Sequence, residues 1–472
     1  VQTLDRRGFL RSAAALAAAP SLLATGCASR PVGEPPQRPI VDGRRRAPGE
    51  PLRIAVIGVG GQGAANLDAV RHEQIVALCD VDSAALDRAA AMEPQARTFV
   101  DFRELLRASD LDIDGVVIST PDHTHAAAAA LAIRTGRAVY LEKPLSHSVF
   151  ECRTLQRLAR EYAVPTQMGT IIHAGDNYRR VVEAIRAGVI GTVTAVDCWC
   201  PKSWCCGRLT PGAVPPPNLD WALWQGPVAH APYIEGIHPA NWRSYWSYGT
   251  GTLGDMGCHI LDLPFWALGL DRPEWSRCDV TAHGPKEVDP IGCPPWLEAT
   301  WVFERPRTSE HVGLDPLILR WFDGSAESPT VQELGAKDRK DYRGRYMVCF
   351  QGTRGFLMAN YGEFEVLMVP GAVLPKPSMP SSPGQHREWL AAIRAGAVRG
   401  SRAALSNFDY AAPLTELVLL GTVAYRSGTG IVWNRTAADG STERYTPVDP
   451  TAKASVDRLL AGVGGAVKGW EL

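Results

Sequence analysis

The stretch "LRIAVIGVGGQGAANLDAV", residues 52–70, decides the fold. Ile54, Val56 and Ile57 lie in an apolar run of the kind a strand buried on both faces carries. Gly58, Gly60 and Gly63 follow with GxGxxG spacing, and "AANLDAV" then reads as a helix. Each glycine has its own reason. Gly58 permits a tight turn, Gly60 lets a pyrophosphate reach the main chain, and Gly63 lets the helix pack on the strand. Gly61 and Gln62 complete the loop, and the helix N-terminus behind them faces the phosphates.

Asp80 ends the next strand, "QIVALCDVD", 22 residues after Gly58. A carboxylate there hydrogen-bonds the adenosine ribose hydroxyls and repels a 2′-phosphate, so the expected cofactor is NAD and NADP is disfavoured. The alternation continues with "RELLRAS" as helix, "IDGVVIST" as strand, "HAAAAALAIRTG" as helix and "AVYLEKP" as strand. Such alternation implies a parallel, doubly wound sheet, with ligands beyond the carboxyl ends of its strands. Two segments fall at those ends. "STPDHTHA" brings Thr120, Pro121, His123 and His125, and "EKPLS" brings Glu142 and Lys143. His123 and His125 imitate a metal pair, but no carboxylate or third histidine partners them nearby. They read instead as part of a loop lining the cofactor, and no metal is expected.

Further on, "GTLGDMGCHILDLPFWALG" (251–269) reads as a glycine-rich loop entering a helix. Asp255 and His259 are four apart and share a helical face, with Asp262 close to it. A histidine titrates near neutrality and suits loss of a hydroxyl proton as hydride leaves carbon. A carboxylate one turn away orients the imidazole. A capping aspartate and a satisfied core histidine would give the same spacing.

The N-terminus carries processing signals. "DRRGFLRS" (5–12) followed by an alanine-rich apolar run resembles a twin-arginine export signal, and the run is too short to span a bilayer. Cys27 in "LLATGCAS" resembles a lipoprotein cleavage site, although Ala24 stands where leucine is more usual. The expectation is a periplasmic protein, with Cys27 as a candidate lipid anchor. Residues 29–50 are rich in Pro, Gly and Arg and read as a linker. The net charge of −1 gives no electrostatic case for nucleic acid.

Ten of the 14 tryptophans lie between Trp199 and Trp301. Most of them read as core, with one or two near Arg243, Trp242 among them, lining a ligand site through stacking on apolar faces. Cys198, Cys200, Cys205 and Cys206 crowd into "CWCPKSWCC", which lacks paired CxxC spacing. Free thiols, one disulfide or a metal site all stay open for them.

The pieces "GVGGQG", "CDVD", "STPDHTHA", "VYLEKPLS", "MGTIIHAGDNYRRVVEAIRAGVIGTV", "GTLGDMGCHILD" and "SNFDYAAPLTELVLLGTVAYRSG" together resemble the Gfo/Idh/MocA family, named for glucose–fructose oxidoreductase and inositol dehydrogenase. The resemblance runs from about residue 52 to about residue 434. It implies an α/β protein: an N-terminal Rossmann domain, then a C-terminal α/β domain with a large, mostly antiparallel open sheet that often forms a homo-dimer or homo-tetramer. It implies NAD-dependent redox chemistry on sugars or polyols. Lys143 would touch the reacting hydroxyl, His259 would be the acid/base and Asp255 its orienter. His173 and Tyr178 would lie near the cleft as substrate contacts. Some relatives hydrolyse glycosides by transient oxidation, and the same residues would serve that chemistry. The expected organisation is signal 1–28, linker 29–50, Rossmann domain 51–170, substrate and oligomerisation domain 171–434, and an extension 435–472 without assigned chemistry.

Overall fold

A computed structural model describes residues 46–47, 49–205, 213–305, 316–396, 404–435, 444–462 and 470. The expected export signal, Cys27 and Cys206 lie outside these residues. The end of the expected linker is fastened down. Arg46 places Nε 2.9 Å from Asp114 and Nη2 2.7 Å from Asp112, and its side chain is almost fully covered.

Six strands form the first sheet: β1 (Arg53–Ile57), β2 (Gln74–Cys79), β3 (Arg97–Phe99), β4 (Gly115–Ile118), β5 (Ala138–Leu141) and β6 (Thr166–Met168). All neighbouring pairs are parallel, in the order β3-β2-β1-β4-β5-β6. The strand order reverses between β1 and β4, which opens a crevice at their carboxyl ends. The glycine loop and the segments after β4 and β5 all arrive there. Their continuous apolar patterns have the expected cause, since β4 and β5 are buried along their whole length.

Nine strands form the second sheet: β7 (Val193–Cys200), β8 (Arg277–His283), β9 (Glu298–Phe303), β10 (Leu317–Asp323), β11 (Val348–Gly352), β12 (Phe356–Ala359), β13 (Phe364–Leu367), β14 (Ile431–Asn434) and β15 (Tyr445–Pro447). Their order is β13-β12-β11-β7-β10-β9-β8-β14-β15, antiparallel except for β7 with β10. One face packs on the helix Phe408–Ser427, buried almost all round, whose start is capped by Asn407. The helix Pro329–Asp338 covers part of the other face, over Trp199, Phe322 and Met358. No helix among the described residues is long and apolar enough to cross a membrane.

The helix expected to carry Asp255 and His259 begins at Gly251, so the glycines of 251–260 lie within it and not in a preceding loop. Its glycines serve close packing: a Cβ on Gly254 would sit 1.9 Å from the Thr250 hydroxyl, and one on Gly257 would press Val418 at 3.1 Å. Helix Gln385–Arg394 lies on the first sheet, burying Trp389 and Leu390 with Ile54, Val56, Val117 and Tyr140. The described residues after 435 pack against the rest of the chain. Strand β15 pairs with β14, helix Lys453–Ala461 buries Val456 and Leu460, and Trp470 sits against Phe102 under the Arg103 guanidinium.

Trp389 is fully buried, its indole 2.8 Å from where a Cβ on Gly115 would stand, and its Nε1 has no partner. Trp389→Ala should cost about 3–5 kcal/mol in urea unfolding. Trp389→Phe should cost far less, because no hydrogen bond is lost with the indole nitrogen.

Candidate active site

The glycine loop has the conformation its residues require. Gly58 has φ +78°, and a Cβ there would lie 2.8 Å from the Ser119 backbone. A Cβ on Gly63 would strike the Gly58 carbonyl at 1.9 Å. Gly61, at φ +51°, faces open space at the start of helix Gln62–Val70, which has no side-chain cap. This is the cradle a pyrophosphate fits. Asp80 stands at the end of β2, accepting from the Val59 and Asp82 backbone N–H groups at 2.8 and 2.9 Å. Burial raises its pKa against those donors. Thr120 follows β4, and its hydroxyl is buried without a protein partner, as a side chain lining a cofactor crevice can be.

His123 and His125 fix backbone. The ring nitrogens of His125 lie 2.7 and 2.8 Å from the carbonyl oxygens of Thr120 and Pro144, so this residue ties together the two loops that end β4 and β5. Those of His123 lie 2.8 and 3.2 Å from the carbonyls of Trp224 and Tyr248. Burial lowers the two pKa values, to about 4 and about 3. No cluster of three metal-ligating groups occurs among the described residues. The nine described cysteines are free thiols, eight buried and Cys205 exposed.

Glu142 and Lys143, adjacent in sequence, do different things. Glu142 turns inward and accepts from Asn66 Nδ2 at 2.8 Å, and a Cβ on Gly169 would collide with it at 2.7 Å. Lys143 turns into the cleft. Its ammonium donates to Asp255 Oδ1 at 2.6 Å and to the Asp255 carbonyl at 2.7 Å, which leaves one N–H. Asp255 is nearly buried, yet both carboxylate oxygens are engaged. Arg243 Nε joins Lys143 on Oδ1 at 3.1 Å, while Lys202 Nζ and Trp204 Nε1 reach Oδ2 at 3.2 and 2.7 Å. Burial alone would raise its pKa, but the charges of Lys143 and Arg243 hold it well below the carboxylate range.

That arrangement corrects the expected role of Asp255. Its carboxylate anchors cations and makes no hydrogen bond to His259. The imidazole Nδ1 is buried without a partner. Burial, and then the Lys143 charge, lower the His259 pKa to about 3. Tyr178 is also reassigned. It is buried, and its hydroxyl donates to the His259 carbonyl at 2.9 Å, so it positions the helix instead of meeting substrate. His173 sets Nδ1 3.0 Å from both Asp262 oxygens, stacks on Trp266 and shares Asp262 with the Tyr410 hydroxyl. Trp242 is buried and carries the Arg243 guanidinium 4.1 Å over its ring.

Four residues beyond the sequence reading join the site. Lys202 and Trp204 arrive from the cysteine-rich stretch after β7, in which no motif marks them. Tyr361, on the turn after β12, has its ring 6.4 Å from His259 and a buried hydroxyl without a partner. Asp122 accepts from the Thr250 hydroxyl at 2.8 Å, and burial pushes its pKa to about 7 against the charge of Arg243.

Residues 52–170 match the model of the Gfo/Idh/MocA oxidoreductase family's NAD-binding Rossmann fold, and residues 187–304 match its C-terminal α/β domain. A glycosyl hydrolase family 109 protein of Shewanella sp. (strain W3-18-1) is 28% identical over 206 residues. That stretch is 40% of this chain and 44% of that protein, so the similarity spans less than half the relative's length. The WlbA dehydrogenase from Bordetella pertussis, solved with NADH and UDP-GlcNAcA, shares the fold with a TM-score of 0.54 at 15% identity, covering 81% of this chain and 98% of its own. An aldose–aldose oxidoreductase from Caulobacter crescentus, complexed with glycerol, does so with a TM-score of 0.53 at 14% identity, covering 81% and 99%.

Asp122 generates a prediction. Unfolded, its carboxyl titrates near the ordinary value; folded, at about 7. The folded state therefore keeps the proton longer, and its relative stability falls as pH rises across that interval. Asp122→Asn removes the fall. Compared with the unchanged protein, the variant should gain stability between pH 4 and pH 8, by at most about 4 kcal/mol, as read from unfolding midpoints at the two pH values.

Proposed function

The chain belongs to the Gfo/Idh/MocA family of NAD-binding oxidoreductases, and from that premise we propose that it is an exported enzyme acting on a CH–OH group of a sugar, polyol or sugar derivative, with NAD held through the catalytic cycle. The observation that carries the reading is the Lys143 ammonium. It is fixed by Asp255 at the mouth of the cofactor crevice with one N–H unspent, beside a histidine held neutral.

NAD bound along the glycine loop supplies the hydride acceptor. The remaining work belongs to the chain. Gly58 to Gly63 seat the pyrophosphate and Asp80 takes the ribose hydroxyls. Lys143 donates its remaining N–H to the reacting hydroxyl and favours the developing alkoxide. His259 accepts the hydroxyl proton. Burial and the Lys143 charge hold its imidazole neutral at neutral pH, so the ring is free of a second proton when substrate arrives. Asp255 works through Lys143 by fixing where the charge stands.

The twin-arginine-like leader supports export in the folded state. Free NAD is scarce outside the cytoplasm, so a chain with both features works best with cofactor loaded beforehand and a redox-neutral cycle. The hydride then returns to a second sugar or to the same molecule. Similarity to proteins named glycosyl hydrolase family 109 favours a second reading. Oxidation of a ring carbon acidifies the adjacent C–H, the glycosidic group leaves by elimination, water adds, and the hydride returns. Association into a homo-dimer or homo-tetramer through the open sheet belongs to the same proposal, as does anchoring at Cys27.

Mature protein purified without added cofactor should release NAD or NADH on denaturation, and should turn over glycosides or sugar pairs with no net change at the reduced-nicotinamide band. Empty protein that accumulates NADH in strict proportion to added NAD would exclude the held-cofactor cycle. Lys143→Ala and His259→Ala should keep fold and NAD content but lose roughly 10²-fold in turnover; near-normal rates in both would dismiss the site. Asp80→Ala should narrow a preference for NAD over NADP measured by binding.

A further inference from the structure

The cations at Asp255 outnumber the anions there. Lys143, Lys202 and Arg243 all converge on this one carboxylate. Its two oxygens already hold four donors, so it has no capacity to pair them further. The other acids nearby, Asp122 and Glu142, form no ion pair with these three cations; their hydrogen bonds go to neutral groups. Asp122 is hydrogen-bonded to Thr250, and Glu142 to Asn66.

Two of the three cations reach solvent. The Lys202 side chain is 45% exposed and that of Arg243 is 25% exposed, against 13% for Lys143. Both are held in place by tryptophan. The Trp204 ring lies 4.8 Å from the Lys202 ammonium and 5.5 Å from the Arg243 guanidinium, and Trp242 lies 4.1 Å from that guanidinium. Trp204 itself is pinned by Asp255 and by its backbone N–H on the Thr252 hydroxyl. Arg243 spends Nε on Asp255 and Nη1 on the Ala240 carbonyl, which leaves three of its five N–H groups, including both on Nη2. A planar, preorganised fork with spare donors beside an ammonium suits a carboxylate. A neutral sugar in the same place would cover two cations without answering their charge.

We propose that the site takes an acidic sugar, a uronic acid or its glycoside, whose carboxylate is paired by Lys202 and Arg243 while Lys143 meets the hydroxyl to be oxidised. This rests on the oxidoreductase reading of the same cleft and names its substrate class. Lys202 and Arg243 are specificity residues for the carboxylate, separate from the proton and hydride chemistry.

Binding and hydride transfer are read separately. Tryptophan fluorescence of the purified, NAD-containing protein is titrated with methyl glucuronide and methyl galacturonide, and with the matching neutral glucoside and galactoside. At least one uronide should bind ten-fold or more tighter than its neutral partner. The margin should shrink several-fold in Lys202→Met, a half-exposed position, with NAD content unchanged. Equal affinities within both pairs, or a margin that Lys202→Met leaves intact, would overturn the carboxylate subsite. So would tighter binding of the corresponding sugar 6-phosphate, which would reassign the pocket to phosphate. Stopped-flow absorbance of the bound nicotinamide during the first turnover of each sugar reports the parent reading, since a redox-neutral cycle reduces the cofactor only transiently. Preferential uronide binding without any transient reduction sustains the subsite and dismisses the oxidoreductase chemistry. Reduction by neutral sugars as readily as by uronides does the reverse.

Discussion

The cleft is organised by the pair that Lys143 makes with Asp255. Lys143 comes from the end of β5 in the first domain, Asp255 from a helix of the second, and the ammonium binds both carboxylate and carbonyl. The contact therefore fixes the distance between the cofactor crevice and the second domain. It also decides local electrostatics. The ammonium helps keep Asp255 ionised despite burial, and it adds to the burial that keeps His259 neutral. Lys143 is prevented from pairing with its sequence neighbour because Glu142 points the other way, onto Asn66, as successive residues leaving a strand do.

Asp255 is placed by glycines. Its helix lies close against Phe408–Ser427, and a Cβ at Gly257 or Gly421 would press Val418 or Leu253. At Gly254 a Cβ would displace Thr250, whose hydroxyl holds Asp122. The glycine-rich run is thus helix from Gly251 on, and its small residues set the depth of the catalytic face.

The tryptophan-rich segment has a comparable supporting role. Leu219, Trp224, Tyr233, Trp242, Tyr245 and Tyr248 form a core of their own. That core is tied to the first domain by His123 on two carbonyls and by Asp82, which pairs with Asn218 and His238. Most of these rings are structural. What they present to the cleft is Arg243, held in position on Trp242 and Trp204. Electrostatic preorganisation of this sort requires side chains that cannot rearrange when charge appears.

Local chemistry was enough to read the Rossmann half. The turn at Gly58, the collision excluded at Gly63 and the buried run of β1 all act within a few residues, so their pattern is written directly in the chain. The same holds for Lys143 and His259 as reactive groups, marked by residue type and by the family resemblance. Partner choice was not legible. Helical spacing put Asp255 and His259 on one face, but four donors from three other segments take the Asp255 carboxylate. Tyr361, Lys202 and Trp204 carry no motif, and only the folding of β7 and of the turn after β12 brings them to the cleft. Nothing local to helix Gln385–Arg394 says that it covers the first sheet. Periodicity and turn chemistry are short-range and survive in one dimension; which buried charge meets which cation is settled by packing between segments that lie from 12 to 112 residues from Asp255.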